Sequence, residues 1–250
     1  MRLKLNLGCA RNSAVSMDYQ YAQRAMIYRT LQQADPIFSE WLHAQGYDAS
    51  GKNFKLFTFG GLRGAFDRTT IEMRFPRGES EFQISFCVEK QLEKFIEGVF
   101  RKQTFDIVAG RSKTTFEVQS VEILNEPVFV ETMRFRARTG ICIAEKREAE
   151  RHVQYCRPDD AVFSELFFKN LEDKVTTVLG KQPPPQYLGF KLLSDAKKWS
   201  TKTPKDGHLI NTIGYQFDFE LTAPASWLSV GYAAGFGSKN SGGFGFCEVI

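Results

Sequence analysis

Histidine is scarce in this chain, with three among 250 residues. That leaves few candidates for a general acid or base working near neutral pH. The five cysteines, Cys9, Cys87, Cys142, Cys156 and Cys247, contain no Cys-x-x-Cys pair. Their odd number and the lack of a secretory leader point to reduced thiols in a cytoplasm and away from a disulfide framework. His152 and Cys156 lie four apart, as two metal ligands on a helix would, but no third and fourth ligand accompanies them, so no metal is expected. No apolar run approaches the length that spans a bilayer. The net charge is only +4, which permits an anionic partner without demanding one.

What the chain does have is phenylalanine, 23 residues of it, within a composition that is 42% hydrophobic and 25% charged. That is an ordinary globular balance, long enough for two small domains with real cores. It also has a C-terminal stretch, Gly235 to Gly245, in which five of eleven residues are glycine and two aromatics lie between glycines. Such a stretch fits unusual backbone angles, close approach of another backbone, or N–H groups that receive phosphate beside the charge of Lys239. A mobile tail or a tight hairpin fits as well. A nucleotide loop fits poorly: no Gly-Lys-Ser or Gly-Lys-Thr follows, and only a short strand remains instead of a helix.

Along the chain, Leu3, Leu5 and Leu7 alternate with Arg2, Lys4 and Asn6, which predicts a half-buried strand. A helix follows from Asp18, capped by Asp18 or Ser16, with Tyr21, Arg24, Ala25 and Tyr28 on one face. Asp35-Pro36 ends it and starts a second helix faced by Phe38, Trp41 and Leu42 and ended by Gly46. Strands at 55–59, 70–76 and 81–88, a helix over 91–101, and extended stretches at 105–108 and 114–124 complete a strand-helix-strand-strand-helix-strand order. A second round has strands over 129–139 and 141–144, a charged turn at 145–150, and a helix from Pro158 to about Leu179. A rigid break at Pro183-Pro184-Pro185 comes next. Strands over 187–193 and 209–221 then read as hairpin partners, followed by a helix over 225–234 and a last strand. The fold class is therefore α+β, in two similar halves, 1–120 and 121–250.

The pattern Gly-apolar-Gly, five residues, Gly-apolar-Gly, with Lys239-Asn240-Ser241 at its centre, resembles the signature loop of the repeat-associated mysterious proteins. Within them it is similar to the CRISPR repeat-processing endoribonucleases, the Cas-six family. Ile27-Tyr28-Arg29, Asp35-Pro36, Trp41-Leu42-His43 and Lys55-Leu56-Phe57-Thr58 resemble the amino-terminal catalytic segment of that family's Tyr-His-Lys branch. Taken without the resemblance, a histidine ending a short helix is a surface or dipole-stabilised residue. The resemblance makes His43 the catalytic histidine, Tyr28 its tyrosine and Lys55 its lysine.

It also implies two tandem ferredoxin-like (RNA-recognition-like) domains with RNA crossing between them. The implied activity is endonucleolytic cutting of CRISPR precursor RNA within the repeat, in which the RNA's own 2′-hydroxyl attacks the phosphorus. No metal or other cofactor is required, and the products are a 2′,3′-cyclic phosphate and a 5′-hydroxyl. A non-catalytic RNA-binding subunit of a CRISPR effector complex on the same scaffold is the competing class. The implied partners are repeat RNA, such an effector complex and, because dimers occur in the family, a second copy of the chain, with no membrane. For RNA contact the loop offers Gly235, Gly237, Lys239, Asn240, Gly243 and Gly245. Arg134, Arg136 and Arg138 would share one strand face, either following a phosphate backbone or simply facing solvent. Lys197-Lys198-Trp199 offers charge beside an aromatic, and His208 a turn position on the surface.

Overall fold

The alternation of Leu3, Leu5 and Leu7 makes Arg2–Gly8 the central strand of a five-stranded antiparallel sheet, ordered Phe57–Phe59, Glu79–Phe86, Arg2–Gly8, Ser112–Leu124, Thr104–Ala109. Leu5 faces Phe82 on one side and Val121 on the other. The computed structural model describes residues 1–49, 51–69, 71–109, 112–145, 153–182, 184, 186–205 and 207–250. His152, most of the charged stretch 145–150, and Pro183 and Pro185 lie outside the described residues.

Helices α1 (Gln20–Ala34), α2 (Pro36–Ala44) and α3 (Glu89–Arg101) belong to this first unit. Asp35 caps α2, its carboxylate accepting from the Phe38 N–H at 2.9 Å, with Pro36 as the first helical residue. Helices α1 and α3 touch at Gly98, where a Cβ would stand 1.9 Å from the Thr30 carbonyl oxygen. Phe57, Phe75, Phe82, Phe86, Phe95 and Phe116 are fully buried in the core.

A second sheet runs Gly189–Leu192, Asp218–Thr222, Thr132–Ala137, Cys247–Val249, again antiparallel, with helices α4 (Phe163–Leu179) and α5 (Ala225–Ala234). Each unit follows the ferredoxin-like strand order, in which the fourth strand of the motif pairs with the first, and the first with the third. The first unit adds Thr104–Ala109 at its edge. The second inserts a long hairpin, Lys197–Lys205 paired with His208–Gln216, between its middle strands.

Four expectations change here. The stretches 187–193 and 209–221 are not hairpin partners across a polar tip. Strand Gly189–Leu192 pairs with Asp218–Thr222, and residues 208–216 pair with 197–205. Of the expected face Tyr21, Arg24, Ala25 and Tyr28, helix α1 buries only Tyr28, while Tyr21 is 44% exposed; Gln23, Met26, Ile27, Thr30 and Leu31 are buried with it, where α3 packs. Its start has no side-chain cap from Asp18 or Ser16. Arg2 does not face solvent either. It is 2% exposed, its guanidinium stacked 3.8 Å from the Tyr232 ring and 4.0 Å from Phe246, donating to the Tyr232 and Cys247 carbonyls. Burial lowers its pKa to about 10. It ties the first strand of one unit to the last strand of the other. Among the described residues, no helix is long and apolar enough to cross a membrane.

Replacing Gly98 by alanine should force α1 and α3 apart at Thr30, costing about 1–3 kcal/mol. Calorimetry would read this as a Tm lower by several degrees; an unchanged Tm would mean the two helices do not meet so closely.

Candidate active site

The turn at Asp35-Pro36 folds α2 back along α1, and one hydrogen bond fixes their register. The Ser39 hydroxyl donates to the Tyr28 carbonyl at 3.0 Å. His43 lies four residues after Ser39, on the same face of α2, and therefore stands beside the Tyr28 ring. The two rings meet edge to face, centroids 4.8 Å apart at 84°. Phe57 presses on Tyr28 from the sheet at 5.8 Å. Tyr28 is buried, and its hydroxyl has no hydrogen-bonding partner; His43 stays exposed.

Two cations flank the pair. Arg24, one turn before Tyr28 on α1, holds its guanidinium 5.8 Å from the centre of the tyrosine ring. Lys55 precedes the strand Phe57–Phe59, with its carbonyl accepting from Gln91 Nε2 at 2.6 Å. Its side chain lies over Gly46, where a Cβ would be 3.3 Å from Nζ. Leu56, buried with φ 52°, makes the sharp turn between Lys55 and the strand, a left-handed conformation that costs a leucine about 1–2 kcal/mol.

The electrostatics follow from this crowding. Desolvation, then Arg24, then Lys55 lower the pKa of His43 below 6.5, favouring the neutral imidazole. Desolvation and then Arg24 lower that of Lys55. Burial raises that of Tyr28, against weaker opposing effects of Arg24 and Ser241, so its hydroxyl keeps its proton. The three residues expected from sequence thus converge. In the sequence Arg24 is one residue of a helix face, and its i,i+4 spacing from Tyr28 is the signal that marks it.

The C-terminal loop arrives from the other unit. The Asn240–Gly242 turn packs on α1 and on strand Phe57–Phe59, and the Thr58 hydroxyl donates to the Phe244 carbonyl at 2.9 Å. Gly235, Gly237, Gly243 and Gly245 all have positive φ and no room for a Cβ. Gly245, at φ 72°, leaves no room for a Cβ, which would lie 1.9 Å from the Phe236 carbonyl oxygen. Gly243, at φ 86°, would carry its Cβ 2.9 Å from the Phe59 ring. Gly235 and Gly237 are buried, and Lys239 is exposed at φ 62°.

Asn240, expected to face RNA, is turned inward. Its Nδ2 donates to the Phe236 and Phe244 carbonyls at 3.1 and 3.0 Å, and its Oδ1 accepts from Lys174 at 2.7 Å. Its side-chain bonds are directed into the loop, so contact with a ligand would require breaking them. Lys174 is itself 1% exposed, and its Nζ also donates to the Gly235 and Gly237 carbonyls at 2.5 and 2.6 Å.

Between the two units a cleft of about 570 Å³ is lined by residues of both, including Gln23, Arg63, Arg68, Arg138, Lys198 and Trp199, with Gly243 of the loop at its wall. Arg63 and Arg138 share Glu248 as counter-ion. Arg134 and Arg136 project from the exposed face of strand Thr132–Ala137, as the alternation predicts, and pair with Glu220 and Asp218, and the exposed Arg138 follows the strand's last residue. His208 is exposed and pairs with Lys205 at the turn end of the long hairpin, the end opposite Lys198 and Trp199. Among the described residues, no cluster of acidic, histidine or cysteine side chains is arranged to hold a metal.

A tandem ferredoxin-like fold closed by a C-terminal glycine-rich loop defines the class of protein. The family described as CRISPR associated protein Cas6, C-terminal, matches residues 124–249, and CRISPR-associated protein Cas6, N-terminal, matches residues 14–122. The chain belongs to the Cas6 family. It is 23% identical over 237 residues to the CRISPR-associated endoribonuclease Cas6 of Pyrococcus furiosus, covering 94% of this chain and 83% of that protein. A solved CRISPR associated protein Cas6 superposes over 100% of this chain and 99% of its own, with TM-score 0.80 and 22% identity. A solved RAMP protein that binds different RNA substrates superposes over the same shares with TM-score 0.84 and 17% identity.

Arg24→Ala should raise the His43 pKa, because it removes the larger of the two cationic effects on that ring. NMR titration of the His43 ring should show a midpoint below 6.5 in the wild type and a higher one in the variant. Coincident titrations would place Arg24 outside the site.

Proposed function

We propose that this protein is a metal-independent endoribonuclease that cuts CRISPR precursor RNA within the repeat. The observation that carries the reading is the Tyr28–His43 edge-to-face pair flanked by Arg24 and Lys55. RNA brings its own nucleophile, so the protein has three tasks: to take the 2′-hydroxyl proton, to give one to the departing 5′-oxygen, and to stabilise charge on the phosphorane.

His43, held neutral by desolvation and two nearby cations, is suited to accept the 2′-hydroxyl proton as the oxygen bonds to phosphorus. Tyr28, whose proton burial retains, gives that proton to the 5′-oxygen as the P–O5′ bond breaks, and the protonated His43 beside it returns one afterwards. Lys55 and Arg24 balance the developing charge on the non-bridging oxygens. The products are a 2′,3′-cyclic phosphate and a 5′-hydroxyl. The RNA runs from Tyr28 and His43, which do not line the cleft between the units, into that cleft, where Lys198 and Arg68 meet phosphate and Trp199 offers a stacking surface. The exposed Lys239 extends that basic track from the loop. Arg134, Arg136 and Arg138 reach phosphate by exchanging their carboxylate partners.

In EDTA, the wild type should cleave a labelled repeat RNA. His43→Ala should lose about 10²–10⁴-fold in single-turnover rate while keeping its affinity, and a 2′-deoxy substitution at the cut should abolish cleavage. Cleavage lost in EDTA, or retained by His43→Ala, defeats the mechanism. Tight repeat binding with no cutting would make the protein a binding subunit. Separately, Arg68→Ala with Lys198→Ala should flatten the slope of log affinity against log salt by roughly 0.7 for each phosphate left without its cation. An unchanged slope would take the RNA out of this cleft.

A further inference from the structure

The cleavage mechanism leaves one buried ionisable group unused. Lys174 lies within α4, far from the cleft-lining residues in sequence, and is almost completely enclosed. Its three nitrogen contacts all go to the C-terminal loop: the Gly235 carbonyl, the Gly237 carbonyl and the Asn240 side-chain oxygen. An ammonium has three hydrogens to give and a neutral amine two, so only the protonated form satisfies all three acceptors. Burial pushes the group down to about 7, and the neighbouring Cys87 and Cys247 oppose that shift. A buried charge without a carboxylate partner is costly, and here it is balanced by converging carbonyl-type oxygens.

What those bonds hold in place is close to the site. Asn240 begins the tight turn Asn240–Gly242 and carries bonds to both glycine-flanked segments, at Phe236 and Phe244. The turn packs on α1, which carries Tyr28, and the half-buried Ser241 is near enough to the Tyr28 hydroxyl to lower its pKa, although that hydroxyl makes no hydrogen bond of normal geometry. One turn earlier on α4, Asn170 donates to Ser238 at 3.4 Å, a second tether from the same helix. Helix α4 therefore grips the loop by its interior, and the loop's outer turn meets α1.

We propose that Lys174 is a positioning residue of the cleavage site, acting through Asn240 and Ser241 to set the environment of the Tyr28 hydroxyl. The assignment rests on Tyr28 working in cleavage, yet it makes a structural claim that can be measured without RNA. A packing lysine would stabilise the fold and leave Tyr28 unaffected. A positioning lysine shifts Tyr28.

The test uses the full chain with Lys174→Met and Ser241→Ala, each also made in a Tyr28→Phe background. Amide hydrogen exchange is measured across 235–245. The ionisation of Tyr28 is followed as the one ring signal of tyrosine-labelled protein that Tyr28→Phe removes. Lys174→Met should lower loop protection at least tenfold and raise the Tyr28 midpoint. Single-turnover cleavage should fall about 10- to 100-fold, with no further loss when Tyr28 is already phenylalanine. Unchanged protection, an unmoved Tyr28 midpoint, or losses that multiply in the double variant would overturn the proposal. If Lys174→Met does not fold, Ser241→Ala decides, since it leaves the loop's backbone bonds in place. It should raise the Tyr28 midpoint, and an unmoved midpoint would overturn the relay. If the wild type cuts no repeat RNA, the cleavage reading fails, while exchange and the Tyr28 midpoint still decide whether Lys174 holds the loop against that hydroxyl.

Discussion

The loop that ends the chain is folded around one buried ammonium, and much of the molecule's arrangement depends on that contact. Lys174 draws three oxygens of a glycine-rich segment onto a single nitrogen. The segment can obey only because glycine stands at 235, 237, 243 and 245; at the last two a side chain would collide with the Phe59 ring or the Phe236 carbonyl. So shaped, the loop presents its outer turn to the first unit and lines the cleft with Gly243. The glycines serve steric closeness more than mobility, since every residue from 243 to 247 is buried.

The two units are joined by polar atoms placed in apolar surroundings. Arg2 crosses from the first strand to carbonyls and aromatic faces of the second unit. Thr58 reaches the Phe244 carbonyl from a strand that also supports Tyr28 through Phe57. A hydrogen bond buried in this way contributes modestly when made and costs more when one partner is removed. It therefore specifies how the units meet more strongly than it stabilises either. The same holds at the candidate site, where a helix pair locked by Ser39 brings His43 to Tyr28, and desolvation, with Arg24 and Lys55 adding to it, lowers the pKa of the imidazole.

The pattern of apolar residues made most of the fold legible. The period of two at Leu3, Leu5 and Leu7, the Asp35-Pro36 start of α2 and the glycine that ends it each rest on local rules that act within a few residues. Helix α5 matches its expected span, Ala225–Ala234. The long hairpin at 197–216 was not legible, because polar strands that leave the sheet carry no buried face to reveal their register. The outward face predicted for Arg2 failed for a related reason: alternation identifies the two faces of a strand but not what later covers them. Arg63 and Arg68 went unremarked, since isolated arginines gain meaning only when the opposite wall of the cleft brings Lys198 and Trp199 near.

By itself the sequence determined the fold class, the family through its terminal loop, and which histidine to suspect, because each is carried by local spacing or a contiguous motif. Tertiary structure alone decided that Asn240 is directed into the loop rather than toward a ligand, that Arg24 acts on His43, and that a lysine 61 residues before Gly235 holds the loop in shape. Those depend on contacts between residues distant in sequence. Such contacts exist only after burial has removed water and left each polar atom to find a partner from whatever the packing brings within reach.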